Sequence, residues 1–158
     1  EDLCDFTVSL GVQQYWSRFL SANRLDPETK YYDVMYFGST QELADSLLKL
    51  VLDGKKTATT SCVGAYEAEN LPMPVPGDYT IVTDWHGIPH GIIRTTDVTI
   101  MPFRAMTYDI CKREGEDETL ESWQLGHRKF FKMEAEELGF GFGEDMPVLF
   151  EDFELVWK

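Results

Sequence analysis

Two lysines and three threonines crowd the stretch Gly54-Lys55-Lys56-Thr57-Ala58-Thr59-Thr60. Lysine can carry a proton in either direction and threonine supplies a hydroxyl, so the segment holds the parts of a base-assisted nucleophile, or of a cationic binding turn. The same residues also have a plain structural use: lysines at a helix C-terminus complement the macrodipole, and threonine is a good strand former. Arg94 is a candidate phosphate or base contact, or an ion-pair residue. Trp85 and His86 fall in a turn, where they can stack on a base or simply stand exposed. His127 shares an apolar helical face with Trp123, which predicts a hydrogen-bonded core residue in preference to a catalyst.

The elements around the lysine turn position these groups. Ser39-Thr40-Gln41-Glu42 spells a capping box, and Leu43, Leu47, Leu50 and Val51 follow at helical spacing until Gly54 ends the helix. The run Thr57 to Val63 reads as a strand, and the segment Glu67 to Pro76, with Pro72, Pro74 and Pro76 at alternate positions, reads as a loop. Tyr79 to Thr83 and Gly91 to Ile100 form a hairpin across the Asp84 to Pro89 link. Phe103, Met106 and Ile110 predict a short helix, and Leu120, Trp123, His127, Phe130 and Phe131 a longer one that stops at Gly139. Val148 to Trp157 closes the chain as a half-buried strand. Ahead of all this, Val12, Tyr15, Trp16, Phe19 and Leu20 mark a helical face, and Tyr31 to Gly38 a short strand or extended lead-in. Short links between consecutive strands favour an α+β fold, with a small mixed or antiparallel β-barrel and flanking helices.

Composition narrows the classes of function. A chain of 158 residues is long enough for one core without metals or disulfides. Cys4, Cys62 and Cys111 are odd in number and widely spaced, so they read as reduced thiols, and no metal site or cofactor is expected. No apolar run approaches the roughly 20 residues that span a bilayer. The first five residues, Glu1 to Asp5, lack the pattern of a secretory signal, which makes the cytoplasm the expected location. A net charge of −14 opposes binding of a long polyanion. Clustered cations such as Lys55, Lys56, Arg94, Arg104 and Arg128 would relax that argument locally.

The ordered series of capped helix, Gly54-Lys55-Lys56-Thr57-Ala58-Thr59, Pro76-Gly77-Asp78, Ile93-Arg94, Leu120-x-x-Trp123-x-x-x-His127 and Glu144-Asp145-Met146-Pro147 resembles the ASCH domain family. It is closest in kind to the free-standing bacterial type. The resemblance runs from about Val34 to Trp157 and implies a barrel of PUA-like type over residues 31–158, with residues 1–30 as an accessory helix packed on it. It also implies a nucleoside or RNA ligand. Some small relatives are amidohydrolases that remove the acetyl group from 4-acetylcytidine; others are ribonucleases or remain uncharacterised. On the amidohydrolase pattern, Lys56 falls on the lysine base, Thr59 on the threonine nucleophile and Glu116 on the later glutamate, with Glu114 a near alternative. Lys55, Thr57 and Arg94 are then candidate substrate contacts. A noncatalytic RNA-binding module is the alternative function, and the oligomeric state stays open.

One local constraint bears on this scheme. In a straight strand, positions 56 and 59 are an odd number apart and face opposite ways. Lys56 is therefore expected in the helix-to-strand turn, outside the regular pleat.

Overall fold

The computed structural model describes the backbone from Leu3 to Lys158 and the side chains from Leu10 onward. The thiol of Cys4 and the acidic residues of the first turn lie outside the described side chains. Among the described residues the chain forms five strands and five α-helices: α1 (Leu3–Ala22), β1 (Asp33–Met35), α2 (Gln41–Leu52), β2 (Ala58–Cys62), α3 (Val63–Glu69), β3 (Tyr79–Thr83), β4 (Pro89–Pro102), α4 (Tyr108–Cys111), α5 (Leu120–Leu138) and β5 (Pro147–Trp157). The strands hydrogen-bond in the order β1-β3-β4-β5-β2. β1 runs parallel to β3, while β3 with β4 and β2 with β5 are antiparallel, so this is the mixed sheet of an α+β, PUA-like fold.

The chain divides into two compact units, and the long strands β4 and β5 pass through both. The first unit comprises Glu1–Gly54, Gly77–Arg94 and Glu154–Lys158. Its core is built where Val12, Trp16, Phe19 and Leu20 of α1 meet Ile81 of β3 and Ile92 of β4. Tyr79 receives both Trp16 and Phe19 edge-on, and Trp16 Nε1 donates to the Thr29 carbonyl at 2.9 Å, so the indole is satisfied as it is buried. Truncating Phe19, which is 1% exposed, is expected to cost about 3–5 kcal/mol. In α2 the Thr40 hydroxyl accepts from the Leu43 N–H and fixes the first turn, so the N-cap is Thr40, the second residue of the capping box.

The second unit comprises Lys55–Pro76 and Thr95–Phe153. Residues 148–152 of β5 pair with β2 in register, Ala58 opposite Asp152, Thr60 opposite Phe150 and Cys62 opposite Val148. The face carrying Ala58, Cys62, Val148 and Phe150 packs on Phe103, Trp123 and Phe131. One expectation fails in this unit. The strand ends at Cys62, and α3 occupies Val63–Glu69, where the sequence reads as strand and then loop. Gly64 makes the helix fit, because a Cβ there would meet the Phe140 ring at 2.7 Å. Asn70 ends it in the left-handed conformation, with φ of 54°.

Candidate functional site

The site is assembled where the lysine turn meets the segment before α5. Gly54, with φ of +74°, takes the chain out of α2, and Lys56 lies ahead of β2, yet it keeps the alternation of Ala58 and Thr60, so the turn does not carry it to the face of Thr59. The Lys56 side chain turns inward and is 2% exposed. Nζ donates to the Ala58 carbonyl at 2.9 Å and to Glu116 Oε2 at 2.5 Å, and stands 3.5 Å from Glu114 Oε1. A buried ammonium is costly unless paired and hydrogen-bonded, and two carboxylates with a carbonyl meet that condition.

Both glutamates arrive together because Gly115 stands between them. Its φ is +73°, and a Cβ at that position would collide with the Lys55 carbonyl, so only glycine lets this segment lie on the lysine turn. The Thr57 N–H and hydroxyl both donate to the Arg113 carbonyl, at 3.0 and 3.1 Å, and clip the two segments together.

Glu114, 1% exposed, is the centre of the buried part. Its Oε2 accepts from the Thr60 hydroxyl at 3.0 Å and from Trp123 Nε1 at 2.5 Å. Its Oε1 receives no hydrogen bond of ordinary length and lies between Lys56 Nζ at 3.5 Å and His127 Nε2 at 3.6 Å, the imidazole being cationic when protonated. Burial opposes ionisation of Glu114, but the interaction with His127, the Lys56 charge and the Trp123 N–H outweigh it and hold the carboxyl below its ordinary range. Burial likewise opposes protonation of His127, yet the Glu114 carboxylate raises its pKa above the usual value. The His127 Nδ1 faces the Trp123 carbonyl at 2.9 Å, so both ring nitrogens meet acceptors, as the protonated imidazole needs. The ring stacks on Trp123 with centroids 4.2 Å apart.

The hydroxyls divide by strand face. Thr60 points to the Glu114 side and is buried, whereas Thr59 is half-buried on the opposite face, directly across from Glu151 in the β2–β5 register. Lys55 is exposed. Arg94, in the first unit, is half-exposed and pairs with Glu154 at 3.7 Å. In the same unit Trp85 packs on Tyr36, and His86 contacts Gln41. The structure thus brings Lys56 together with both Glu116 and Glu114, which the sequence left as alternatives. It adds Thr60 and His127 to them. The parity of Lys56, Ala58 and Thr60 was the available signal for Thr60; nothing local marks His127 as a partner of Glu114.

Glu116 is the member that reaches solvent, its side chain being 21% exposed. The thiols are held in their neutral form: burial raises Cys62, and burial with Glu114 nearby pushes Cys111 up to about 11. Among the described residues no group of three or more His, Cys, Asp or Glu side chains is arranged to hold a metal ion. A surface cavity lined by Tyr66, Asn70, Leu71 and Met73 contains none of the residues above. No described helix is long and apolar enough to cross a membrane.

Comparison with known proteins adds the evolutionary setting. A family model described as ASCH domain matches residues 33–157. The crystal structure of an ASCH domain from Lactobacillus crispatus superposes with a TM-score of 0.86 at 31% identity, covering 94% of this chain and 95% of that one. A crystal structure of a protein from Enterococcus faecalis gives a TM-score of 0.87 at 36% identity, covering 93% and 88% respectively. An ASCH structure from Zymomonas mobilis, at 10% identity, a TM-score of 0.50 and 78% and 70% coverage, shares the fold alone. No functionally curated protein matches the sequence.

Proposed function

The chain belongs to the ASCH domain family, and from that premise we propose that it is an amidohydrolase that removes an acyl group from a modified nucleoside such as 4-acetylcytidine. The observation that carries this reading is the buried contact of Lys56 with Glu116, 2.5 Å across 60 residues of sequence. A solvated ion pair would serve stability poorly, and a buried one often does no better than apolar packing. A buried lysine with a half-open carboxylate at its head is instead suited to moving a proton.

In the proposed reaction Glu116 accepts a proton from Lys56, and the freed amine draws the proton of the Thr59 hydroxyl through a water at the edge of β2, since Thr59 stands on the other face of that strand. The threonine oxygen attacks the acyl carbon, and the C–N bond breaks as Glu116 returns its proton to the departing nucleoside amine. A water molecule then attacks the threonine ester, giving its proton to the lysine–glutamate pair, which passes it to the departing Thr59 oxygen, so that the hydroxyl is restored as the carboxylic acid leaves. Thr59 suits the nucleophile's place because it is half-exposed, whereas the Thr60 hydroxyl is buried and committed to Glu114. Lys55 and Thr57, exposed beside Lys56 in the chain, are the proposed ligand contacts.

The test is turnover of acylated nucleosides, with the products identified by mass spectrometry. Lys56→Arg and Thr59→Ala are each expected to lose at least about 100-fold in kcat, since an arginine stays protonated and alanine has no nucleophile. The double variant is expected to be little worse than either single one, because the two residues act as one unit. Full turnover in Thr59→Ala with loss in Thr60→Ala would move the nucleophile to Thr60. No turnover of any acylated nucleoside, together with tight RNA binding, would make this a binding module.

A further inference from the structure

The second oxygen of Glu114 joins two groups that come from different elements. Thr60 on β2 and Trp123 on α5 both donate to Oε2 and fix the carboxylate, which leaves Oε1 between Lys56 Nζ at 3.5 Å and His127 Nε2 at 3.6 Å. The two distances are nearly equal, and both exceed the roughly 2.7–2.9 Å of a charge-assisted hydrogen bond, so neither group has captured the oxygen. The His127 ring is clamped as well. It stacks on Trp123 at 4.2 Å, meets Phe131 edge-on at 5.7 Å and directs Nδ1 at the Trp123 carbonyl. Nε2 therefore faces the carboxylate whatever the ring's charge. The protonated ring offers Oε1 a hydrogen, whereas the neutral ring, its one hydrogen kept by the Trp123 carbonyl, turns a lone pair on it.

We propose that His127 is a positioning residue: acting through Glu114, its charge decides how readily Lys56 hands a proton to Glu116. This rests on the reading of Lys56 as the group that moves a proton in the site. While His127 is charged it offsets Glu114, and the lysine exchanges its proton with Glu116. Once His127 is neutral, the whole charge of Glu114 falls on the Lys56 ammonium and holds the proton in place. The other groups around the cluster do not cancel the change. Glu116, from the same segment as Glu114, is a second negative charge; the Cys111 thiol of α4, pushed up to about 11, stays neutral; Thr60 of β2 and Trp123 and Phe131 of α5 carry no charge. The sign of the effect is distinctive. A lysine base without such a neighbour gains activity as pH rises, whereas here turnover falls as His127 loses its proton.

A titration followed by NMR tests the coupling without turnover. In the wild type the Lys56 Cε resonance is expected to step at the pH at which the His127 Cε1 resonance titrates, as two coupled groups do. In Glu114→Gln, whose amide carries no charge, the step is expected to shrink at least about threefold, and in His127→Gln it is expected to vanish. The wild-type titration carries the test should either variant not fold. A Lys56 resonance that stays flat while His127 titrates, or a step of the same size in Glu114→Gln, would overturn the proposal. Kinetics read the consequence. The kcat of the wild type toward an acylated nucleoside is expected to fall at least about tenfold across the His127 titration, the effect of one neighbouring charge, and to be low and level in His127→Gln. A kcat that climbs through that range in the wild type overturns the proposal as well. A coupled step with no hydrolysis of any acylated nucleoside sinks only the amidase, and hydrolysis with a flat Lys56 resonance sinks only the role of His127.

Discussion

Three groups in this site are defined by what surrounds them: Lys56 by two carboxylates, Glu114 by four donors or cations, and His127 by an acceptor at each ring nitrogen. This coupling makes stability depend on pH in a calculable direction. Folding raises the His127 pKa above its ordinary 6.5, so the folded chain holds that proton more tightly than the unfolded one. Its contribution is complete below 6.5 and is lost as pH climbs through the raised value. Folding lowers Glu114 from 4.5, so its contribution is complete above 4.5 and is lost as pH falls through the lowered value. Both are present in the window from 4.5 to 6.5. The thermal midpoint of the wild type is therefore expected to fall between pH 6 and pH 9, and to fall less in His127→Gln, which cannot carry the charge. Equal slopes for the two proteins, measured by calorimetry in matched buffers, would remove His127 from the account.

At the scale of elements, the geometry depends on two backbone segments lying in contact, the lysine turn on one side and residues 112–116 on the other. Gly115 is the point of closest approach. Gly115→Ala forces a side chain into a positive-φ position and against the Lys55 carbonyl, so it is expected to destabilise by about 1–3 kcal/mol. It is also expected to lower kcat at least about tenfold, because both glutamates move with the displaced segment; denaturant unfolding and steady-state kinetics check the two parts. Full activity in a folded Gly115→Ala protein would show that the carboxylates need no such approach. Much of this was legible in the sequence, since the capped α2, the β3–β4 hairpin and the stripe of α5 each carry local signals. The acids were not separable by the same means. Glu114, Glu116, Asp117 and Glu118 sit in one charged run, and which of them is buried depends on where Gly115 lets the backbone rest. The helix α3 escaped for a related reason: Thr57 to Val63 is a strong strand-forming run, and the contact between Gly64 and Phe140 that lets the helix start at Val63 joins residues 76 positions apart in sequence. The parallel pairing of β1 with β3 has no local signature either.

For the whole molecule, the governing quantity is charge. With 28 acidic residues against 14 basic ones, the field of the protein repels phosphate, and the lysine best placed in the site is already neutralised by Glu116 and Glu114. Binding of RNA along its backbone would have to release counterions from several phosphates, and its log K would then fall with log salt at about −0.7 per phosphate contacted. An uncharged nucleoside releases none. Its affinity is expected to change by less than about twofold between 50 and 500 mM salt, since the hydrogen bonds and apolar contacts that hold it lie within van der Waals reach and are little screened. The measurement is a salt series of 4-acetylcytidine binding to Thr59→Ala protein, run beside a single-stranded RNA oligomer. A slope near zero for the nucleoside with weak oligomer binding throughout agrees with a small-ligand pocket. An oligomer that binds more tightly than the nucleoside, with a slope steeper than about −2, three phosphates' worth, would mean that local cations override the net charge and that the chain engages RNA along its backbone.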